Sequence, residues 1–190
     1  MNSDKSVRRE SGVRKYLKKS IWSRFYQWRI KRSLGESDSS SFIDANVEFQ
    51  RHPGNVSLGK NVIIKEGSRI CPTNSDAKIK IGDWTTVGHQ SFLFATDEIE
   101  IGANCLIAPF CYLVDANHGI HKELLIREQP MSAKKITLGD DVWLGTSCVV
   151  LKGVSIGDGA VVSAGTVVVK DIPPYAIVSG NPAEITGHRK

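Results

Sequence analysis

"LGDDVWLGTSCVVLKGVSIGDGAVVSAGTVV", residues 138–168, keeps a count of six. Leu138, Leu144, Val150, Ile156, Val162 and Val168 fall on it without a miss, each a Leu or a β-branched residue. Between the beats stand Gly139, Asp140, Asp141, Gly145, Gly157, Asp158, Gly159 and Gly165, residue types that accept tight-turn geometry. A period of six is neither the 3.6 of a helix nor the alternation of a strand. It fits a three-sided coil in which each side is a short strand with one aliphatic side chain pointing inward. Three sides make eighteen residues, so Leu138 is expected beneath Ile156, Leu144 beneath Val162 and Val150 beneath Val168. Each such side chain, once buried, contributes roughly 1.5–3 kcal/mol, and stacked coils share one continuous core.

The same beat runs upstream through Leu58, Ile64 and Ile70, then Ile81, Val87 and Leu93, then Ile101, Ile107 and Leu113. It slips at 71–78 and again at 114–137, where "YLVDANHGIHKE" (112–123) leaves the rhythm. The expectation is an all-β solenoid over 42–178, of about seven coils, with 114–137 as an inserted loop.

A chain of 190 residues, 41% hydrophobic and 24% charged, has room for one domain with a real core and an appendage. The net charge of +5 is unevenly spread. Residues 1–32 hold eleven Lys or Arg against Asp4 and Glu10, a balance of +9, while the remainder has fourteen basic and eighteen acidic residues, a balance of −4. A basic prefix (1–40) therefore precedes a slightly acidic body (41–190). Cys71, Cys105, Cys111 and Cys148 form no CxxC pair and several fill small-residue slots of the repeat, so they read as buried reduced thiols, as in the cytosol. No secretory h-region and no membrane-spanning apolar run is read.

Residues 138–185 resemble the hexapeptide-repeat acyltransferases, most closely the O-acetyltransferases of sugars, antibiotics and serine; "KDIPPYAIVSGNPA" (170–183) is the most specific piece. The resemblance runs from about residue 42 to the end. It implies a left-handed parallel β-helix, a homotrimer with active sites in the clefts between subunits, acetyl-CoA as donor and no metal. It further implies that the loop at 114–137 carries the catalytic base, His118 in "DANHG". An imidazole with an unperturbed pKa near 6.5 can take a hydroxyl proton at neutral pH and return it to a leaving thiolate. Asp115 either orients that imidazole, holds another sugar hydroxyl or caps a turn; Asn117 has the same readings and is placed with the substrate, and His121 reads as solvated surface. In "TVGHQS" Gly88 stands where the resemblance implies a sugar-binding Asn, so either His89 or Gln90 takes over the contact or the acceptor sits differently. Thr146 and Ala164 match backbone contacts to the pantetheine or thioester oxygen, Lys170 matches the lysine at the CoA phosphates, and Trp143 would line the inter-subunit groove or simply pack there. Val169 replaces a usual Thr, and Glu184 and Gly187 replace two usual arginines, with His188, Arg189 and Lys190 either serving the nucleotide phosphate or forming a solvated tail.

The prefix reads as an amphipathic helix over 12–32, with Val13, Leu17, Ile21, Phe25 and Trp28 along one side and "LGESDSSS" (34–41) as a flexible joint. Such a helix suits either an anionic membrane surface or packing on its own β-helix or trimer; nucleic acid fits less, because the body is acidic. The expected function is acetyl transfer to a hydroxyl of a sugar or glycan-biosynthesis intermediate, in the cytoplasm or at the inner face of the membrane. Two rivals share the repeat: a γ-carbonic-anhydrase-like lyase, which needs three converging histidines, and a non-catalytic scaffold.

Overall fold

A computed structural model describes residues 20–190, the side chain of Trp22 excepted. Short strands succeed one another around a triangular prism, and like sides stack into three parallel sheets, a left-handed parallel β-helix. The first side carries Glu36–Ser37, Val56–Leu58, Lys78–Ile81, Glu98–Ile101, Ile136–Leu138 and Ser155–Ile156. On the second side lie Phe42–Ile43, Ile63–Ile64, Thr86–Val87, Leu106–Ile107, Trp143–Leu144, Val161–Val162 and Ala176–Ser179. The third side is built of Glu48–Phe49, Arg69–Pro72, Phe92–Ala95, Tyr112–Val114, Val149–Leu151 and Val167–Val168.

The pairing register is the one the count of six demands. Leu138 pairs with Ile156, Leu144 with Val162 and Val150 with Val168. Across the long loop, Ile101 meets Leu138, Ile107 meets Leu144 and Leu113 meets Val150, so the excursion leaves without shifting the phase of the coil. The inward side chains are almost completely shielded from water. Six turns are complete, against the expected seven. After Val168 only a bridge from Ile156 to Ile172 and the strand Ala176–Ser179 continue the coil, and Glu184–His188 folds back antiparallel on that strand. Pro173 and Pro174 lack the N–H donors a full rung would need.

The glycines after the first-side beats have a different task from the one read in sequence. Gly59, Gly82, Gly102, Gly139 and Gly157 stack at one corner, and none has positive φ. A Cβ at Gly139 would lie 2.1 Å from Asp158 Oδ1, and one at Gly102 would lie 2.5 Å from the Gly139 carbonyl oxygen. The constraint is the close approach of successive coils. Aspartates stitch the same column: Asp158 Oδ1 accepts the Asp140 N–H, and Asp140 Oδ1 accepts that of Ala103, at 2.8 and 2.7 Å. Positive φ falls instead on corner residues such as Asn104 and Asp141, types that tolerate that region.

The N-terminal helix, α1 (Ile21–Lys31), begins at a Ser20 cap whose hydroxyl accepts the Ser23 N–H. It closes the open end of the prism with Tyr26 and Ile30, which pack on the core. Gln27 forms a two-way pair with the backbone of Ile43, and the Tyr26 hydroxyl donates to the Val47 carbonyl. The end of a solenoid presents unpaired N–H and C=O groups, so the side of the helix with hydrogen-bonding tips is the one that docks. Of the apolar stripe read in sequence, Val13 and Leu17 lie outside the described residues, and Ile21, Phe25 and Trp28 face water. Residues 34–41, read as a flexible joint, build the first turn: Leu34 is buried, and Glu36–Ser37 pair with Ser57–Leu58. All four cysteines are free and buried, and burial pushes the Cys105 thiol up to about 11.

Candidate active site

The excursion leaves the coil after Val114, and both of its ends are clipped to one corner. Asp115 is fully buried; its Oδ1 accepts the Thr96 N–H at 2.7 Å and its Oδ2 the Asp97 N–H at 2.8 Å. Burial pushes this carboxyl above its usual range, and those two N–H groups pull the other way. Asp97 Oδ2 in turn accepts the Lys135 N–H at 3.1 Å, where the chain returns. The Asp115 carbonyl accepts the Lys134 N–H at 2.9 Å.

Beyond the clip, Ala116–His118 pairs antiparallel with Met131–Ala133, with His118 opposite Met131 and Asn117 opposite Ser132. Lys152 Nζ reaches up from the coil to the Ser132 hydroxyl. Gln129, buried inside the loop, accepts the His121 N–H at 2.7 Å and donates to the carbonyls of His121 and Leu124, both at 3.0 Å. His118 and Asn117 are exposed at the end of this braced hairpin. Asp115 makes no hydrogen bond to the imidazole among the described residues, so its side chain takes the turn-capping alternative and holds the base of the loop. The sequence reading passed over Asp97 and Gln129. A polar corner in "ATDE" and an uncharged amide before Pro130 were the only signals.

The second group lies where the second side turns into the third. Gly88–Gln90, Ala108–Phe110, Gly145–Ser147 and Ser163–Gly165 stack there, with positive φ at Gln90, Phe110, Ser147 and Gly165. Thr146 and Ala164 are exposed, and neither N–H finds an acceptor among the described residues. The Thr146 hydroxyl donates to the Pro109 carbonyl at 2.9 Å. Trp143 and Phe110 are more than half exposed beside them. His89 and Gln90 are also exposed, whereas a Cβ at Gly88 would lie 2.5 Å from the Ala108 carbonyl carbon. The backbone of the next coil thus crowds the place where a side chain at this position would begin.

Lys170 is exposed just past the last third-side strand. Arg189 is not part of a free tail: its Nη1 donates to Asp141 Oδ2 at 2.9 Å and to the Gly159 carbonyl at 3.0 Å. His118 and the Thr146–Ala164 corner flank the third side at opposite edges. At about 3.3 Å per residue, the strand and its flanking residues make that side roughly 15 Å wide. Among the described residues no three His, Cys, Asp or Glu side chains converge.

Residues 135–170 match the family described as hexapeptide repeat of succinyl-transferase. The chain is 34% identical over 132 residues to "Putative colanic acid biosynthesis acetyltransferase WcaF" of Escherichia coli (strain K12), spanning 70% of this chain and 69% of that protein. It is 29% identical to "Putative lipopolysaccharide biosynthesis O-acetyl transferase WbbJ" of the same organism, over 72% of this chain and 74% of that protein. AntD, an N-acyltransferase from Bacillus cereus solved with dTDP and 3-hydroxybutyryl-CoA, shares the fold with a TM-score of 0.76 at 20% identity, over 87% of this chain and 88% of that one. The stacked six-residue coil and these relatives define a class, the acyltransferases built on hexapeptide repeats. The chain belongs to that family, among proteins named as acetyltransferases.

Proposed function

We propose that this protein transfers an acetyl group from acetyl-CoA to a hydroxyl of a sugar or glycan-biosynthesis intermediate, with His118 as general base. The observation that carries the proposal is an exposed imidazole on a hairpin braced by Asp115, Asp97 and Gln129. A base must be held in place to be useful, and a positioned one is worth about 10²–10⁴ in rate. The Nε2 or Nδ1 lone pair of His118 takes the acceptor hydroxyl proton as the oxygen bonds to the acetyl carbon. As the carbon–sulfur bond breaks, the imidazolium returns the proton to the thiolate. The unpaired N–H groups of Thr146 and Ala164 suit the negative charge that grows on the thioester oxygen. Trp143 offers an apolar wall beside them, and Lys170 a cation for phosphates.

The separation of His118 from that corner supports a site completed between copies, three in a ring. Apolar outward residues on two sides of the prism, Leu106 and Trp143 on one and Phe92 and Tyr112 on the other, suit burial between subunits. The relatives named for colanic acid and lipopolysaccharide biosynthesis favour a glycan acceptor, and four reduced thiols suit the cytoplasm. The test is release of free CoA from acetyl-CoA against matched hydroxyl and amino sugars, free and nucleotide-linked. Turnover of hydroxyl acceptors that is lost in His118→Ala supports the reading. Turnover confined to amino sugars would reassign the chain to N-acyl transfer, and unchanged turnover in His118→Ala would remove the base.

A further inference from the structure

α1 has two faces, and the fold uses one. Tyr26, Gln27 and Ile30 seal the end of the prism, while Ile21, Phe25 and Trp28 stand on the opposite side at 84%, 58% and 54% exposure. The rings of Phe25 and Trp28 stack at 5.8 Å, which holds them together as one apolar ridge. Arg24 and Arg29 flank the ridge at helical spacing, and the Arg32 guanidinium lies 4.9 Å from the Trp28 ring centre. Lys31 is not available to this face, because its ammonium donates to the carbonyls of Asp38, Ser39 and Ser41. No acidic residue occurs between Glu10 and Glu36, and residues 1–32 carry a balance of +9 against −4 for the rest.

We propose that this face of α1 docks the enzyme on an anionic lipid surface, lying in the headgroup layer without crossing it. No helix among the described residues is long and apolar enough to span a bilayer. An aromatic–aliphatic ridge bordered by arginines is what an interfacial helix presents: the rings enter the boundary of the acyl chains while the guanidinium groups stay among phosphates and carboxylates. Each basic group near such a surface adds to the attraction, and the acidic body orients the molecule with its N-terminal end toward the lipid. The helix is seated on the coil by its other face, so docking needs no unfolding of the first turn. In a parallel ring of three, as proposed above, three ridges would lie in one plane and act together; the docking itself does not depend on that ring.

The test is flotation of the full-length chain with vesicles of phosphatidylcholine alone and with about one third phosphatidylserine, in low and moderate salt. Binding to the anionic vesicles only, weakened by salt, is expected. Phe25→Ala with Trp28→Ala should lower the bound fraction at least tenfold, while thermal midpoint and acetyl-CoA turnover with soluble acceptors stay unchanged, because both rings are more than half exposed and stand outside the core. Arg24→Gln with Arg29→Gln should weaken binding less and flatten its salt dependence. Binding that survives loss of the two rings would overturn the proposal in favour of diffuse attraction to the basic prefix. No binding to anionic vesicles would overturn it outright. So would a drop in oligomer mass in the ring-deleted variant, since the ridge would then be a contact between copies.

Discussion

The first and second sides of the prism are alike within and opposite without. Inside, both are columns of buried aliphatics, Leu58, Ile81, Ile101, Leu138 and Ile156 on one, Ile43, Ile64, Val87, Ile107, Leu144 and Val162 on the other. Outside, the first side carries Lys78, Lys80, Glu98, Glu100 and Lys135, tied by ion pairs from Lys80 and Lys135 to Glu98 and from Lys135 to Glu100. The second side carries Leu106, Trp143 and Val161. Because the backbone ladder and inner column are the same, the outward residues are free to differ without cost to the fold. The difference leaves one side charged and the other apolar on the same inner frame.

That division breaks most sharply at the loop. His118→Ala should lower kcat/KM by about 10²–10⁴, or roughly 3–5 kcal/mol in the transition state, with no change in the thermal midpoint. Leu144→Ala should do the reverse, since an inward residue with no exposure leaves a cavity: a loss of about 2–5 kcal/mol of stability, read by urea denaturation. Leu106→Glu with Trp143→Glu should reduce the mass by light scattering from a ring of three to one copy, while Lys80→Ala on the first side leaves it unchanged. A mass that responds equally to both would erase the contrast between the sides.

Smaller effects sharpen the picture. Gly88→Asn should cost about 1–3 kcal/mol because the Ala108–Pro109 backbone occupies the site of its Cβ. Glu98→Gln should cost less than about 1 kcal/mol, since its partners are substantially exposed. Lys80, through its hydrogen bond, holds the Glu98 carboxyl below its ordinary 4.5 in the folded protein, and Glu98 likewise raises Lys80 above its ordinary 10.5. The stabilisation from Glu98 is therefore present above pH 4.5 and fades as the pH falls through its lowered value. The Lys80 contribution is full below pH 10.5 and is lost as the pH rises past that. A pH series of melting curves should show the Glu98→Gln difference vanish in acid.

The membership of the inner columns and the phase of the coil after residue 138 could be counted from the chain, because a six-residue period leaves each beat one role. The place of the long excursion at 114–137 was legible for the same reason, as the longer of the two stretches where counting fails. What the linear order could not assign was the partner of each polar group. Asp115 stands three residues from His118, yet its oxygens meet the N–H groups of Thr96 and Asp97, one coil back in space. Gly139 read as a turn residue and Gly88 as a replaced acceptor-binding position, and only the stacking of coils reveals how closely a neighbouring coil crowds both. The stripe of Ile21, Phe25 and Trp28 was visible as amphipathic, but its direction depended on which face could answer the open hydrogen-bonding groups of Ile43 and Val47. Periodicity is a local property of the chain, whereas a hydrogen-bond partner or a steric limit belongs to whatever the fold brings alongside.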